Sequence, residues 1–216
     1  TAMAASRRAG RSGRCWSDPY RSLSTALSVA QAGDEIWVAR GFYTAGLTVD
    51  STFVLRPGVA LYGGFSTTKT LRTQRNWAAN VTVLSGDLQR NDRADGRGVV
   101  TSTAFITGVN AAHVVLLDGS SEPITRTTRL DGFSITAGRA TTGTQPMGGG
   151  LLCLAQASGG ECSPALSNLT LSGNLAQQGG GLYIAVGQGG RSDLALDGVT
   201  FSGNRAGYGA AIEGRG

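Results

Sequence analysis

Leu166-Ser167-Asn168-Leu169-Thr170-Leu171-Ser172-Gly173-Asn174 aligns without gaps on Leu130-Asp131-Gly132-Phe133-Ser134-Ile135-Thr136-Ala137-Gly138 and on Leu196-Asp197-Gly198-Val199-Thr200-Phe201-Ser202-Gly203-Asn204. The copies start 36 and then 30 residues apart. Each is followed by a Gly-rich second segment: Gly148-Gly149-Gly150-Leu151-Leu152, Gly179-Gly180-Gly181-Leu182-Tyr183 and Gly207-Tyr208-Gly209-Ala210-Ala211-Ile212. Two-part units of this length, built from alternating residues and turn formers, are the sequence form of a β-solenoid. Within each copy, Phe133/Ile135, Leu169/Leu171 and Val199/Phe201 alternate with Ser134/Thr136, Thr170/Ser172 and Thr200/Ser202, giving an apolar face and a hydroxyl face. One such coil cannot bury its apolar face alone. Parallel stacking at about 4.8 Å per coil buries it and pairs the backbone. Asn174 and Asn204 then share a turn position where stacked amides form a ladder, shortened by Gly138 in the first copy.

Outward from the repeat, the reading stays all-β. Strands are predicted at 52–55, 59–62, 81–84, 104–107 and 113–117, divided by Gly, Asn, Asp or Pro. One amphipathic helix is predicted at about 22–32: Ser22 serves as N-cap, Leu23, Ala26, Leu27 and Ala30 form one stripe, and Gly33 ends it. It precedes the strand Glu35-Ile36-Trp37-Val38-Ala39, the place for a cap on a stack of coils. The expected organisation is a basic, loosely ordered segment at 1–14 and one domain over 15–216, with its clear repeats at 130–213.

The composition agrees: 34 Gly beside 15% charged and 6% aromatic residues fits turns and bulges, without the third-position Gly of collagen. The net charge is +5, Lys69 is the only lysine, and Arg7, Arg8, Arg11, Arg14 and Arg21 crowd the start. No zinc-finger spacing, RNA-recognition signature or basic helix accompanies that charge, which argues against a nucleic-acid partner. No apolar run is long enough for a membrane-spanning helix. Ala2-x-Ala4 reads as the tail of a signal-peptidase site. Cys153 and Cys162 bracket a short polar stretch, which predicts a disulfide stapling a surface loop and leaves Cys15 over. The repeats reach residue 213 with no polar terminal coil, so continuation of the chain, or assembly with a partner at that edge, is expected.

These residues carry a resemblance. Phe201-Ser202-Gly203-Asn204, and less closely Leu171-Ser172-Gly173-Asn174, resemble the F-x-x-N strand-turn of polymorphic outer-membrane protein repeats, while Gly180-Gly181-Leu182 and Gly209-Ala210-Ala211-Ile212 approximate their G-G-A-[ILV] strand. The stretches Gly33-Asp34-Glu35-Ile36-Trp37-Val38-Ala39, Gly58-Val59-Ala60-Leu61-Tyr62-Gly63-Gly64-Phe65 and Val83-Leu84-Ser85-Gly86-Asp87-Leu88 are similar to the family's entry region. The resemblance implies a right-handed parallel β-helix of the pectate-lyase-like superfamily, secreted or displayed on a bacterial cell surface. Its implied role is an adhesive or structural scaffold whose partners are other surface proteins or polysaccharide. The alternative it leaves is a polysaccharide lyase or glycoside hydrolase.

The candidate chemistry is carboxylate chemistry. Asp131 and Asp197 align in the repeat with Ser167 between them, about 9.6 Å apart at two ladder steps, near the upper end of the roughly 6.5–9.5 Å carboxyl separation of inverting glycosidases. Both precede Gly at a turn, where Asp serves its own backbone, and that structural role is the preferred reading. Asp87, Asn91, Asp92 and Asp95 supply hard oxygens suited to Ca2+, although an EF-hand register would put Arg93 and Ser102 at ligand positions. The only histidine, His113, reads as a strand-edge residue rather than a general base. Trp16, Trp37, Trp77, Tyr62 and Tyr183 suit sugar stacking or, more commonly, packing.

Overall fold

The repeats stack in register. The computed structural model describes residues 4–8, 16–143 and 145–215, and among these the strands wind into five coils, each contributing to three parallel sheets. The first sheet holds Asp34–Ala39, Ala60–Phe65, Arg129–Asp131, Ala165–Ser167 and Ala195–Asp197. The second holds Gly41–Thr44, Thr82–Ser85, Ser134–Thr136, Thr170–Ser172 and Thr200–Ser202, and the third Phe53–Val54, Val115–Asp118, Leu151–Ala155, Leu182–Val186 and Ile212–Arg215. Each coil thus pairs strand for strand with the next, and the chain is an all-β parallel β-helix.

The inward rows follow from period-two alternation. Ile36, Leu61, Leu130, Leu166 and Leu196 stack in the first sheet. Tyr43, Leu84, Ile135, Leu171 and Phe201 stack in the second, and Phe53, Val115, Leu151, Leu182 and Ile212 in the third. Phe133 and Leu169 are buried at the first corner, with Val199 partly buried beside them. A buried Leu contributes about 1.5–3 kcal/mol, and here each contacts like residues above and below.

The Asn ladder forms at the second corner. Asn174, fully buried, accepts from the Gly138 N–H (3.0 Å) and donates to Ile135 O (3.0 Å) and to Asn204 Oδ1 (3.0 Å). Asn204 Nδ2 repeats the bond one coil later, to Leu171 O at 2.8 Å. The residue before each rung has left-handed backbone, with φ of 64° at Ala137, 63° at Gly173 and 61° at Gly203. A Cβ on Gly203 would stand 2.0 Å from Thr101 O, so Gly is required there by a crossing loop as well as by φ.

The two ends differ. At the N-terminal end the helix Leu23–Val29 is capped by Ser22, whose Oγ accepts from Thr25 N, and it buries Leu23, Ala26 and Leu27 against the first coil. It is shorter than the predicted 22–32 because Ala30 is extended (ψ 146°) and the Asp34 carboxylate closes a turn onto Gln31 N (2.9 Å). Ala4–Arg8, expected to be loosely ordered, instead forms a strand antiparallel to Asp34–Ala39, occupying the outer edge of the first coil. Cys15, Arg11 and Arg14 lie outside the described residues. At the other end the same inward rows are open: Leu196 is 43% and Ile212 38% exposed, against 1% for Leu166 and Leu182.

Two expectations change. The strand expected at 104–107 is a 3-10 turn, Thr103–Phe105, capped by the Ser102 hydroxyl. It belongs to a segment that crosses over the second sheet, where Val100 O accepts from both Thr136 Oγ1 and Ser172 Oγ at 3.0 Å. The Cys153–Cys162 disulfide is present, with Cα atoms 5.9 Å apart, but it is not a surface staple. Cys153 stands in an inward row between Leu117 and Ile184, and both cysteines are fully buried. Alternation turns Cys153 inward, and the chain beyond residue 156 returns to the core at Cys162.

Candidate functional site

The register places Asp131, Ser167 and Asp197 in one outward row of the first sheet, continuing Trp37 and Tyr62. The two acids have different surroundings. Asp131 is buried: its Oδ2 accepts from Arg75 Nη2 (2.6 Å) and its Oδ1 from Asn168 Nδ2 (2.9 Å), while Arg75 Nη1 also reaches Asp131 O (3.2 Å). Asp197 is exposed at the last coil. One carboxylate is therefore neutralised inside an ion pair and the other faces solvent.

The acids of 87–95 work on the loop that contains them. Asp87, buried, accepts from the N–H groups of Asn91 and Asp92 (both 3.1 Å). Asp92 accepts from Thr107 N (2.6 Å) and Asn110 Nδ2 (2.7 Å). Burial raises the Asp92 carboxyl above its ordinary value, and these hydrogen bonds oppose the rise. Asp95 Oδ1 accepts from both Arg97 N and Val99 N at 2.9 Å. Among the described residues no three His, Cys, Asp or Glu side chains gather as metal ligands. His113 is half-buried, with Nδ1 3.1 Å from Gly148 O, and burial pushes its pKa down.

A different set of residues forms a cleft. It lies outside the corner between the first and second sheets, under the loop 66–81. A volume of 210 Å³ is bounded by Trp77, Val81, Arg97, Ser134, Asn168 and Thr170, and a neighbouring 470 Å³ by Arg40, Gly41, Ala78, Ala79, Val81 and Arg97. Together they reach the roughly 300–1,000 Å³ of small-molecule sites. The loop is seated by Gly64, whose φ is 86° and whose Cβ would stand 2.6 Å from Trp77 Cα. Asn76 N bonds Gly64 O (2.8 Å), Asn76 Oδ1 accepts from Ala79 N (3.0 Å), and Arg75 anchors the loop to Asp131. Trp77 is held with its ring over the Arg75 guanidinium (4.9 Å) and remains 42% exposed. No protein family, curated protein or solved structure matches this chain in sequence or fold comparison.

The cleft is cationic for a structural reason. Arg72 is paired with Glu35 and Arg75 with Asp131, and both guanidiniums lie over the Tyr62 ring, whose phenol burial holds above its ordinary pKa. The guanidiniums of Arg40 and Arg97 make no ion pair or hydrogen bond among the described residues, and no acid stands in either cleft wall. Asp95 builds the turn that presents Arg97. Of the aromatics singled out by sequence, Trp37 is stacked on Phe65 (4.6 Å, 8°) and Trp16 donates to Lys69 O (2.7 Å). Tyr62 and Tyr183 are buried, so Trp77 offers the open ring. Sequence alone does not mark Arg40, Arg97 and Asn168, because they sit in three different coils or insertions with no common spacing. The signal present was the pair Gly63-Gly64, which marks a close backbone approach within a strand.

Proposed function

We propose that the chain is a secreted or cell-surface β-helix scaffold that binds a partner without transforming it. The observation that carries this reading is the disposition of charge: the buried acids are committed to ion pairs and turns, whereas two arginines and a tryptophan face an open cleft. A core disulfide supports an oxidising compartment, where such bonds form and persist. The strand-turn residues that resemble polymorphic outer-membrane protein repeats, Leu171 to Asn174 and Phe201 to Asn204, include the two asparagines of the ladder. No helix among the described residues is long and apolar enough to cross a membrane.

Labelling of intact producing cells with an impermeant reagent, combined with thiol alkylation, tests the location. Surface labelling with Cys153 and Cys162 protected is expected, and cytosolic chain with free thiols would overturn it. Incubation with polygalacturonate and heparin, with and without calcium, tests the role. No new reducing ends or unsaturated products are expected. Turnover that disappears in Asp131→Asn or Asp197→Asn would instead establish the lyase or hydrolase alternative.

A further inference from the structure

We infer that the cleft between Trp77, Arg40 and Arg97 binds an anionic saccharide, a reading that rests on the scaffold function and names its ligand. Three observations converge on that chemistry. First, Arg40 and Arg97 border one cleft, both are exposed, and neither has a partner among the described residues. A guanidinium presents paired N–H donors that match a carboxylate or sulfate group in two-point contact. Second, Trp77 borders the 210 Å³ volume, which shares Arg97 and Val81 with the Arg40 cleft, and a further 280 Å³ volume beside Arg72 and Arg75. Its open ring offers the flat apolar surface on which a pyranose packs, with one ring face backed by Arg75.

Third, the floor is hydroxylated. Ser134 and Thr170 are adjacent rungs of the second sheet and face the cleft, and their hydroxyls have no hydrogen-bond partner among the described residues. Asn168 beside them spends its amide nitrogen on Asp131. A sugar carries many hydroxyls that both donate and accept, which is what Ser and Thr side chains answer. A free inorganic anion would use the arginines but leave the ring and the hydroxyls without contacts. An acid-free wall rejects cations and does not distinguish a carboxylated from a sulfated sugar, so the shared feature is the anionic ring.

The full chain, titrated by calorimetry with a galacturonate tetrasaccharide, its methyl ester, a heparin tetrasaccharide and sodium sulfate, decides the matter. At least one acidic tetrasaccharide is expected to bind, while the neutral ester and sulfate bind at least tenfold more weakly. Arg40→Gln with Arg97→Gln is expected to weaken binding tenfold or more and to flatten its salt dependence. Trp77→Ala is expected to weaken it several-fold. Asp95→Ala, which removes the turn that presents Arg97 and leaves the Trp77, Ser134 and Thr170 side chains unchanged, gives a smaller loss and guards against misfolding of the Trp77 variant. Arg56→Gln, an exposed arginine elsewhere, leaves binding unchanged. No binding by either acidic sugar, equal binding of the ester, or binding indifferent to Arg40, Arg97 and Trp77 would each overturn the assignment. Loss of this site would leave the surface location untouched, and turnover of the bound sugar would remove the non-catalytic reading while keeping the site.

Discussion

The last three coils and the first two are built on the same register yet put it to different use. From Arg129 onward, the first two strands of each coil are joined by two-residue turns, and no connection between strands exceeds ten residues. In the second coil the chain leaves the register twice, through residues 66–81 and 86–114, and these excursions fold back over the outer faces of the sheets. The regular coils supply hydroxyls and a rigid floor, and the excursions supply Trp77 and Arg97. A repeat can present only what recurs every coil, so a cleft with walls of different chemistry needs segments that break the repeat.

The two regions meet at Arg75 and Asp131, and that contact is where the comparison can be broken most sharply. Arg75→Ala leaves a buried carboxylate without its partner and is expected to cost about 3–5 kcal/mol in urea unfolding. Asp131→Asn in the same background is expected to recover most of that loss. A cost below about 1 kcal/mol would mean that the loop is held elsewhere.

Within the regular coils the contrast lies between middle and end. Leu130→Ala removes a fully buried side chain flanked by Leu61 and Leu166 and is expected to cost about 2–5 kcal/mol. Leu196→Ala, in the same row but 43% exposed, is expected to cost under about 1 kcal/mol. Equal costs would show that the last coil is covered in solution.

The smallest effect concerns His113, where the long excursion rejoins the third sheet. Burial lowers its folded pKa below the ordinary 6.5, against a raising contribution from Asp50 and the Gly148 carbonyl. Between the folded value and about 6.5 the unfolded chain binds more protons, so stability falls as pH falls through that window and is level above it. His113→Gln is expected to remove this slope near pH 6, measured as Tm against pH. An unchanged slope would place the titration elsewhere.

The inward rows were legible because alternation has one physical solution: once Leu130, Leu166 and Leu196 align, a shift of one residue would turn every apolar side chain outward. Asn174 and Asn204 were legible for the same reason, and so was the Cys153–Cys162 pairing, though not its place. Nine residues of separation suggest a loop staple; only the strand phase at Cys153 sends the bridge into the core.

By itself, then, the sequence determined the solenoid, its register, its capping helix and the ladder at its corner, all consequences of short periods and local turn chemistry. Tertiary structure alone decided that Asp131 is neutralised by an arginine 56 residues away, and that Arg40 and Trp77 border adjoining volumes with Arg97 between them. No period links those positions. They are brought together by two irregular loops docking on a periodic surface, held by a buried ion pair and a glycine that yields to the tryptophan backbone.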